Sequence, residues 1–127
     1  MKIKLLVVED NPANMRFFVA ALESAGHRVL QAGDAVAGIR IARATLPDLI
    51  FMDIQLTGMD GLEATRQLKA DPATRHIPVY ALTAFDMNGD AKRSRAAGCD
   101  GYLVKPVSYK DLRAIAASVA ATGLSKG

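Results

Sequence analysis

Five short runs dominated by Val, Ile and Leu recur along this chain, at Ile3–Val8, Arg28–Gln31, Leu49–Met52, Val79–Leu82 and Tyr102–Val104, and the stretches between them have helical spacing. A continuous apolar run of this length reads as a strand buried on both faces, and strands that alternate with helices describe a parallel sheet. The helical stretches carry their own punctuation. Asn11 caps the first, with Pro12 in its first turn, Phe17, Phe18, Ala21, Leu22 and Ala25 turned inward, and a stop at Gly26. The second runs from about Ala35, behind Asp34 as an ordinary cap, and must end before Pro47. Asp60 or Gly61 opens the third, which turns Leu62, Thr65 and Leu68 to one side until Asp71-Pro72 breaks it. The fourth covers Asp90–Ala97 and stops at Gly98. The fifth starts from Ser108, with Asp111 answering it in a capping box, and buries Leu112, Ile115 and Val119. The expected fold is therefore α/β, a doubly wound parallel sheet of five strands with helices on both faces.

Composition closes off other classes. With 127 residues, 50% apolar and 23% charged, the chain suits one compact domain, expected over residues 1–122 with a flexible tail at 123–127. A lone cysteine, Cys99, forms no internal bridge, and the first apolar run is cut short by Glu9-Asp10, unlike a secretory signal. Nothing approaches the roughly 18 consecutive apolar residues of a membrane span. A soluble protein of the cytoplasm is expected. The net charge of +3 is spread out, densest at Lys92-Arg93-Ser94-Arg95, and lacks the stripe and stacking aromatics of a nucleic-acid surface. These residues read as solvated helix faces, and no nucleic-acid partner is expected.

The chemistry lies at the carboxyl ends of the strands, because parallel strands align those ends along one edge and ligands bind there at the point where strand order reverses. Glu9 and Asp10 come directly after the first strand, Asp53 after the third, Thr83 after the fourth and Lys105 after the fifth. The second ends in Gln31-Ala32-Gly33 without a charge, which fits an order 2-1-3-4-5 with that strand outside the crevice. Three carboxylates in one crevice repel one another, and a single ammonium offsets one of them. A hard divalent cation suits the remainder, with Mg²⁺ the usual occupant of a carboxylate and water site. His27, His76 and Cys99 do not assemble into a Zn²⁺ site and read as structural or surface residues. The first loop, Glu9-Asp10-Asn11-Pro12, attracts a cation and repels a bare phosphate. With a metal bound, a phosphoryl group can enter, and Asp53 is the candidate nucleophile for an acyl phosphate.

At these positions the chain resembles the receiver domains of two-component response regulators over residues 3–122. The resemblance rests on Val8-Glu9-Asp10-Asn11, Leu49-Ile50-Phe51-Met52-Asp53, Gly58-Met59-Asp60-Gly61, Leu82-Thr83-Ala84 and Tyr102-Leu103-Val104-Lys105-Pro106-Val107. The stretch from Ala81 to Asp90, with Ala97-Gly-Cys-Asp100, is similar to stand-alone regulators of the DivK type in bacterial cell-cycle signalling. The resemblance implies a flavodoxin-like, CheY-like sheet and a role for each residue. Asp53 accepts a phosphoryl group from a phosphohistidine of a histidine kinase or histidine phosphotransfer protein. Asp10, Asp53 and the backbone carbonyl of Gln55 hold Mg²⁺, with Glu9 reaching it mainly through water. Lys105 pairs with the carboxylate and then the phosphoryl group. Thr83 donates its hydroxyl to a phosphoryl oxygen, and Tyr102 swings into the space vacated. A cis Lys105–Pro106 bond is implied as well.

The family usually has Met-Pro where this chain has Leu56-Thr57. Loss of that proline is expected to loosen the loop, by about 0.4–1 kcal/mol through the unfolded state, without touching a ligand. Phe85, two positions beyond Thr83, is apolar where a polar group could orient water, so slow loss of phosphate is expected. The chain ends after the fifth helix, so the signal is expected to leave by contact with a downstream protein. The candidate output surface includes Arg93, Tyr102, Lys110 and Arg113, on a monomer or a weak phosphorylation-dependent dimer. Three competing readings remain. A haloacid dehalogenase-type phosphatase wants a second Asp where Gln55 stands, so no separate enzymatic turnover is expected. A pseudo-receiver would work unphosphorylated through its surface. A receiver excised from a hybrid kinase is disfavoured by Met1 directly before the first strand.

Overall fold

A computed structural model describes residues 2–84 and 89–125. Five parallel strands, β1 (Lys4–Val8), β2 (Arg28–Ala32), β3 (Leu49–Asp53), β4 (Val79–Thr83) and β5 (Gly101–Val104), form one sheet in the order β2-β1-β3-β4-β5. Five helices alternate with them: α1 (Pro12–Glu23), α2 (Ala35–Thr45), α3 (Gly61–Ala70), α4 (Asp90–Ala97) and α5 (Tyr109–Ser125). Fold class and strand order agree with the expectation from sequence.

Side chains alternate along each strand and so divide the core in two. Leu5, Val7, Leu49, Phe51 and Leu82 pack with Met15, Phe18 and Leu22 of α1 and Leu112 and Ala116 of α5. Leu6, Val8, Ile50, Met52, Val79 and Ala81 face Ile39 of α2, Leu62, Ala64 and Leu68 of α3, and Ala97 at the end of α4. Every residue of β3 is buried, which is the consequence of its central position. β5 lies at the edge, and there Tyr102 and Val104 are exposed although the sequence run is continuously apolar.

Local chemistry sets the helix ends. Asn11, Asp34 and Asp60 each accept a backbone N–H three residues on, at 3.0, 2.8 and 2.8 Å, so all three act as N-caps. Ser108 Oγ accepts from the N–H of Lys110 at 3.0 Å, one residue short of Asp111, in place of the predicted capping box. Gly98 ends α4 with φ of 104°, a left-handed geometry open to glycine. α1 departs from expectation. Phe17 is 42% exposed, and Met15 is buried in its stead. The inward stripe runs through 15, 18 and 22, and Phe17 lies about 100° of helical rotation from Phe18, beside the stripe. Ala25 follows the helix and is half-buried, and Ile115 and Val119 are half-buried where Ala116 and Ala120 are buried. α5 continues to Ser125, so residues 123–125 of the expected tail extend the helix. No helix among the described residues is long and apolar enough to cross a membrane.

Candidate functional site

Backbone pairing brings the strand ends together before any side chain is considered. In the register of β3 with β4, Asp53 stands beside Leu82, and in that of β4 with β5, Thr83 stands beside Val104. The chain then stays stitched past the last strand residues. Glu9 N–H donates to Ala32 O at 3.0 Å, Ile54 N–H to Leu82 O at 3.2 Å, and Lys105 N–H to Thr83 O at 2.7 Å. The turn after β3 closes tightly. A Cβ on Gly61 would stand 2.1 Å from the Asp53 carbonyl oxygen, so only glycine lets the start of α3 approach there. The Lys105–Pro106 peptide is cis.

On this frame a carboxylate oxygen of each of Glu9, Asp10 and Asp53 lies within 4.8 Å of the others. Glu9 and Asp53 are buried, each 2% exposed, and Asp10 is exposed. Lys105 Nζ donates to Asp53 Oδ2 at 2.8 Å and to Glu9 Oε1 at 3.2 Å. Backbone and side-chain donors hold three more of the carboxylate oxygens. Asp53 Oδ1 accepts from Gln55 N–H at 2.9 Å, and Glu9 Oε2 from Asn11 N–H at 3.1 Å. Asp10 Oδ2 accepts both the N–H and the hydroxyl of Thr57, each at 3.2 Å.

Burial, and then the neighbouring Asp53 carboxylate, push the Glu9 carboxyl above its usual range. Burial pulls the Lys105 ammonium down, but its bonds and charge contacts with Asp53, then those with Glu9, outweigh burial and leave it raised. Two like charges at this spacing repel by about 3 kcal/mol at an effective dielectric near 20. Three carboxylates and one ammonium leave two negative charges in the crevice. A divalent cation matches both that deficit and the all-oxygen donor set, so the residues present fit Mg²⁺.

Thr83 is fully buried at the end of β4, with its hydroxyl a long 3.5 Å from the Leu103 carbonyl. Tyr102, on the neighbouring strand, is 38% exposed. Arg93 is exposed and pairs with Asp90 at 2.8 Å, and Lys110 is exposed at the start of α5. Arg113 is half-buried, 6.0 Å from the Tyr109 ring, and also lines a groove with Ala25, His27 and Ala117. Lys92 and Arg95 are exposed on α4, in keeping with solvated helix faces. His27 is buried and accepts from Ile3 N–H at 3.1 Å, Cys99 is buried against Thr65, and His76 is exposed. Phe85 lies outside the described residues.

One expectation is corrected. The Leu56-Thr57 departure does touch a candidate ligand, because the backbone N–H that threonine keeps and the hydroxyl it adds both end on Asp10. The contact joins residues 47 positions apart, so no local pattern announced it. The only signal in the sequence was the unusual residue itself.

Residues 5–117 match the response regulator receiver domain. The chain is 44% identical over 108 residues to the polar-differentiation response regulator DivK of Brucella anthropi, covering 85% of this chain and 88% of the relative. It superposes on the receiver domain of a sensor histidine kinase from Pseudomonas aeruginosa PAO1 with TM-score 0.84 at 37% identity, covering 91% and 94% of the two chains. That crystal structure has a magnesium ion coordinated in its active site cleft. The chemotaxis response regulator CheY4 of Vibrio cholerae shares the fold, with TM-score 0.86 at 24% identity over 94% of this chain and 99% of that one.

Proposed function

This chain belongs to the response regulator receiver family, and from that premise we propose that Asp53 accepts a phosphoryl group from a phosphohistidine on a histidine kinase or phosphotransfer protein. An Asp53 carboxylate oxygen attacks phosphorus, the new O–P bond forms as the P–N bond breaks, and the departing imidazole takes a proton from water. The product is an acyl phosphate on Asp53. Lys105, 2.8 Å from Asp53 Oδ2, orients the carboxylate before the step and pairs with the phosphoryl oxygens after it. Gln55 N–H, on the other oxygen, keeps the carboxylate from rotating. Asp10, Asp53 and the Gln55 carbonyl would hold Mg²⁺, with Glu9 reached through water, and the bound ion would share the phosphoryl charge that otherwise repels an anionic nucleophile.

The phosphorylated state is read by movement. The Thr83 hydroxyl turns to a phosphoryl oxygen, the end of β4 moves with it, and Tyr102 swings inward. Lys105 N–H already holds the Thr83 carbonyl at 2.7 Å, so the loops after β4 and β5 shift as a unit. The output is phosphorylation-dependent contact with a downstream protein in the cytoplasm, in cell-cycle control or in a polarity role like the polar differentiation named for the Brucella relative. The observation that carries this reading is the meeting of three acids from two strand ends with one ammonium from a third. Incubation with Mg²⁺ and acetyl phosphate, followed by intact-mass measurement, should add one phosphoryl group to wild type and none to Asp53→Asn. An unmodified wild-type protein, or equal modification of both, overturns the assignment.

A further inference from the structure

We propose that Thr57 is a positioning residue for the metal site, a role that rests on Mg²⁺ being the ion held by Asp10 and Asp53. Asp10 is the one exposed acid of the three, so water competes for its carboxylate and its side-chain torsions are otherwise free. Thr57 removes that freedom by sending two donors, its own N–H and its hydroxyl, to the same oxygen, Asp10 Oδ2, at 3.2 Å each. An oxygen that accepts two protons has its in-plane lone pairs engaged, which leaves Oδ1 as the atom available to a cation. The ordering entropy of Asp10 is thereby lost at folding and not at metal binding. The clasp also ties the loop that follows Asp53 at the end of β3 to the loop after β1 that supplies Glu9 and Asp10.

The proline usual at this position in the family has neither donor, so the clasp is a property of this chain's Leu56-Thr57 sequence. It restrains the candidate ligand Asp10 itself, where a proline ring would restrain only the loop backbone.

Titration of the metal-free full chain with MgCl₂ at fixed ionic strength, monitored by calorimetry or by amide chemical shifts, tests the idea on Thr57→Ser, Thr57→Val and Thr57→Pro. Serine keeps both donors and should bind as wild type does. Valine keeps only the N–H, and proline keeps neither. Loss of an outer partner to a ligand typically weakens metal binding 10–100-fold, and for neutral donors on an exposed carboxylate we expect roughly threefold for valine and tenfold for proline. Unfolding midpoints of the serine and valine variants in chelator should stay within about 2 °C of wild type, a shift too small to reflect lost packing. If proline fails to fold, the comparison of serine with valine decides alone. Equal affinity in all variants, or tighter binding in valine or proline, overturns the role of Thr57 while leaving the site intact. Absence of Mg²⁺ binding by wild type at tens of millimolar overturns the reading of the site itself.

Discussion

Lys105 carries the electrostatics of the crevice, since its ammonium lies 2.8 Å from Asp53 and 3.2 Å from Glu9, both buried. Replacing it with Met leaves two desolvated carboxylates without a counter-charge, a change that costs about 3–5 kcal/mol in a fully buried pair. Because the Lys105 side chain is 23% exposed, water screens part of that, and we expect Lys105→Met to lose about 1–3 kcal/mol in chelator. Saturating Mg²⁺ should shrink the loss by restoring positive charge to the site. Urea unfolding with and without the metal measures both, and a loss unchanged by Mg²⁺ contradicts the charge mechanism. At this scale the sequence was informative where chemistry sits at a strand end. Glu9, Asp10, Asp53, Thr83 and Lys105 are polar groups directly after apolar runs, and it is their joint placement at one sheet edge, not any one of them, that was informative. Thr57 was misjudged because its significance lies in a partner 47 positions away.

Elements were legible where their limits are set by near neighbours. Asn11, Asp34 and Asp60 bond an N–H three residues on, a contact contained within one turn; the first two were identified as caps from sequence alone, and Asp60 was placed with Gly61 at the start of its helix. Inward faces were less legible, as Phe17 shows, because adjacent phenylalanines both look apolar and only the packing of α1 on the sheet selects Phe18. His27 illustrates the joint between elements. It comes after α1, is buried, and its Nδ1 accepts the Ile3 N–H at 3.1 Å, so the folded protein needs the neutral ring. Burial lowers its pKa below the ordinary value of about 6.5. The unfolded chain therefore binds a proton as pH falls through about 6.5 while the folded one does not, so this contribution is complete above that pH and declines below it, until the folded pKa is passed. Urea midpoints of wild type should drop between pH 7.5 and 5.5, and His27→Asn, whose amide oxygen can accept the same N–H, should lack that part of the drop. Identical pH profiles would rule out the histidine as the source.

The whole molecule matters for how a charge added at Asp53 is felt elsewhere. On the proposed function, the path would run from Thr83 at the end of β4, through its carbonyl, which Lys105 N–H holds at 2.7 Å, and along β5, whose Tyr102 is 38% exposed. Chemical-shift mapping of the phosphorylated against the free protein should therefore move resonances of α4, β5 and the start of α5, including Arg93, Tyr102 and Lys110. Shifts confined to the loops around Asp53 would refute this surface. Arg113 also lines the groove with Ala25 and His27 and is expected to report less.

Read alone, the sequence settled the kinds of element, their order and the polar residues that close each strand, because apolar periodicity, caps and turn residues act over a few positions. Tertiary structure decided which oxygen meets which donor, that Asp10 is clasped by Thr57, that β5 shows one face to solvent and that Phe17 stays outside. Those outcomes depend on through-space distances of a few ångströms between residues far apart in the chain, and only the packing of helices on a twisted sheet sets them.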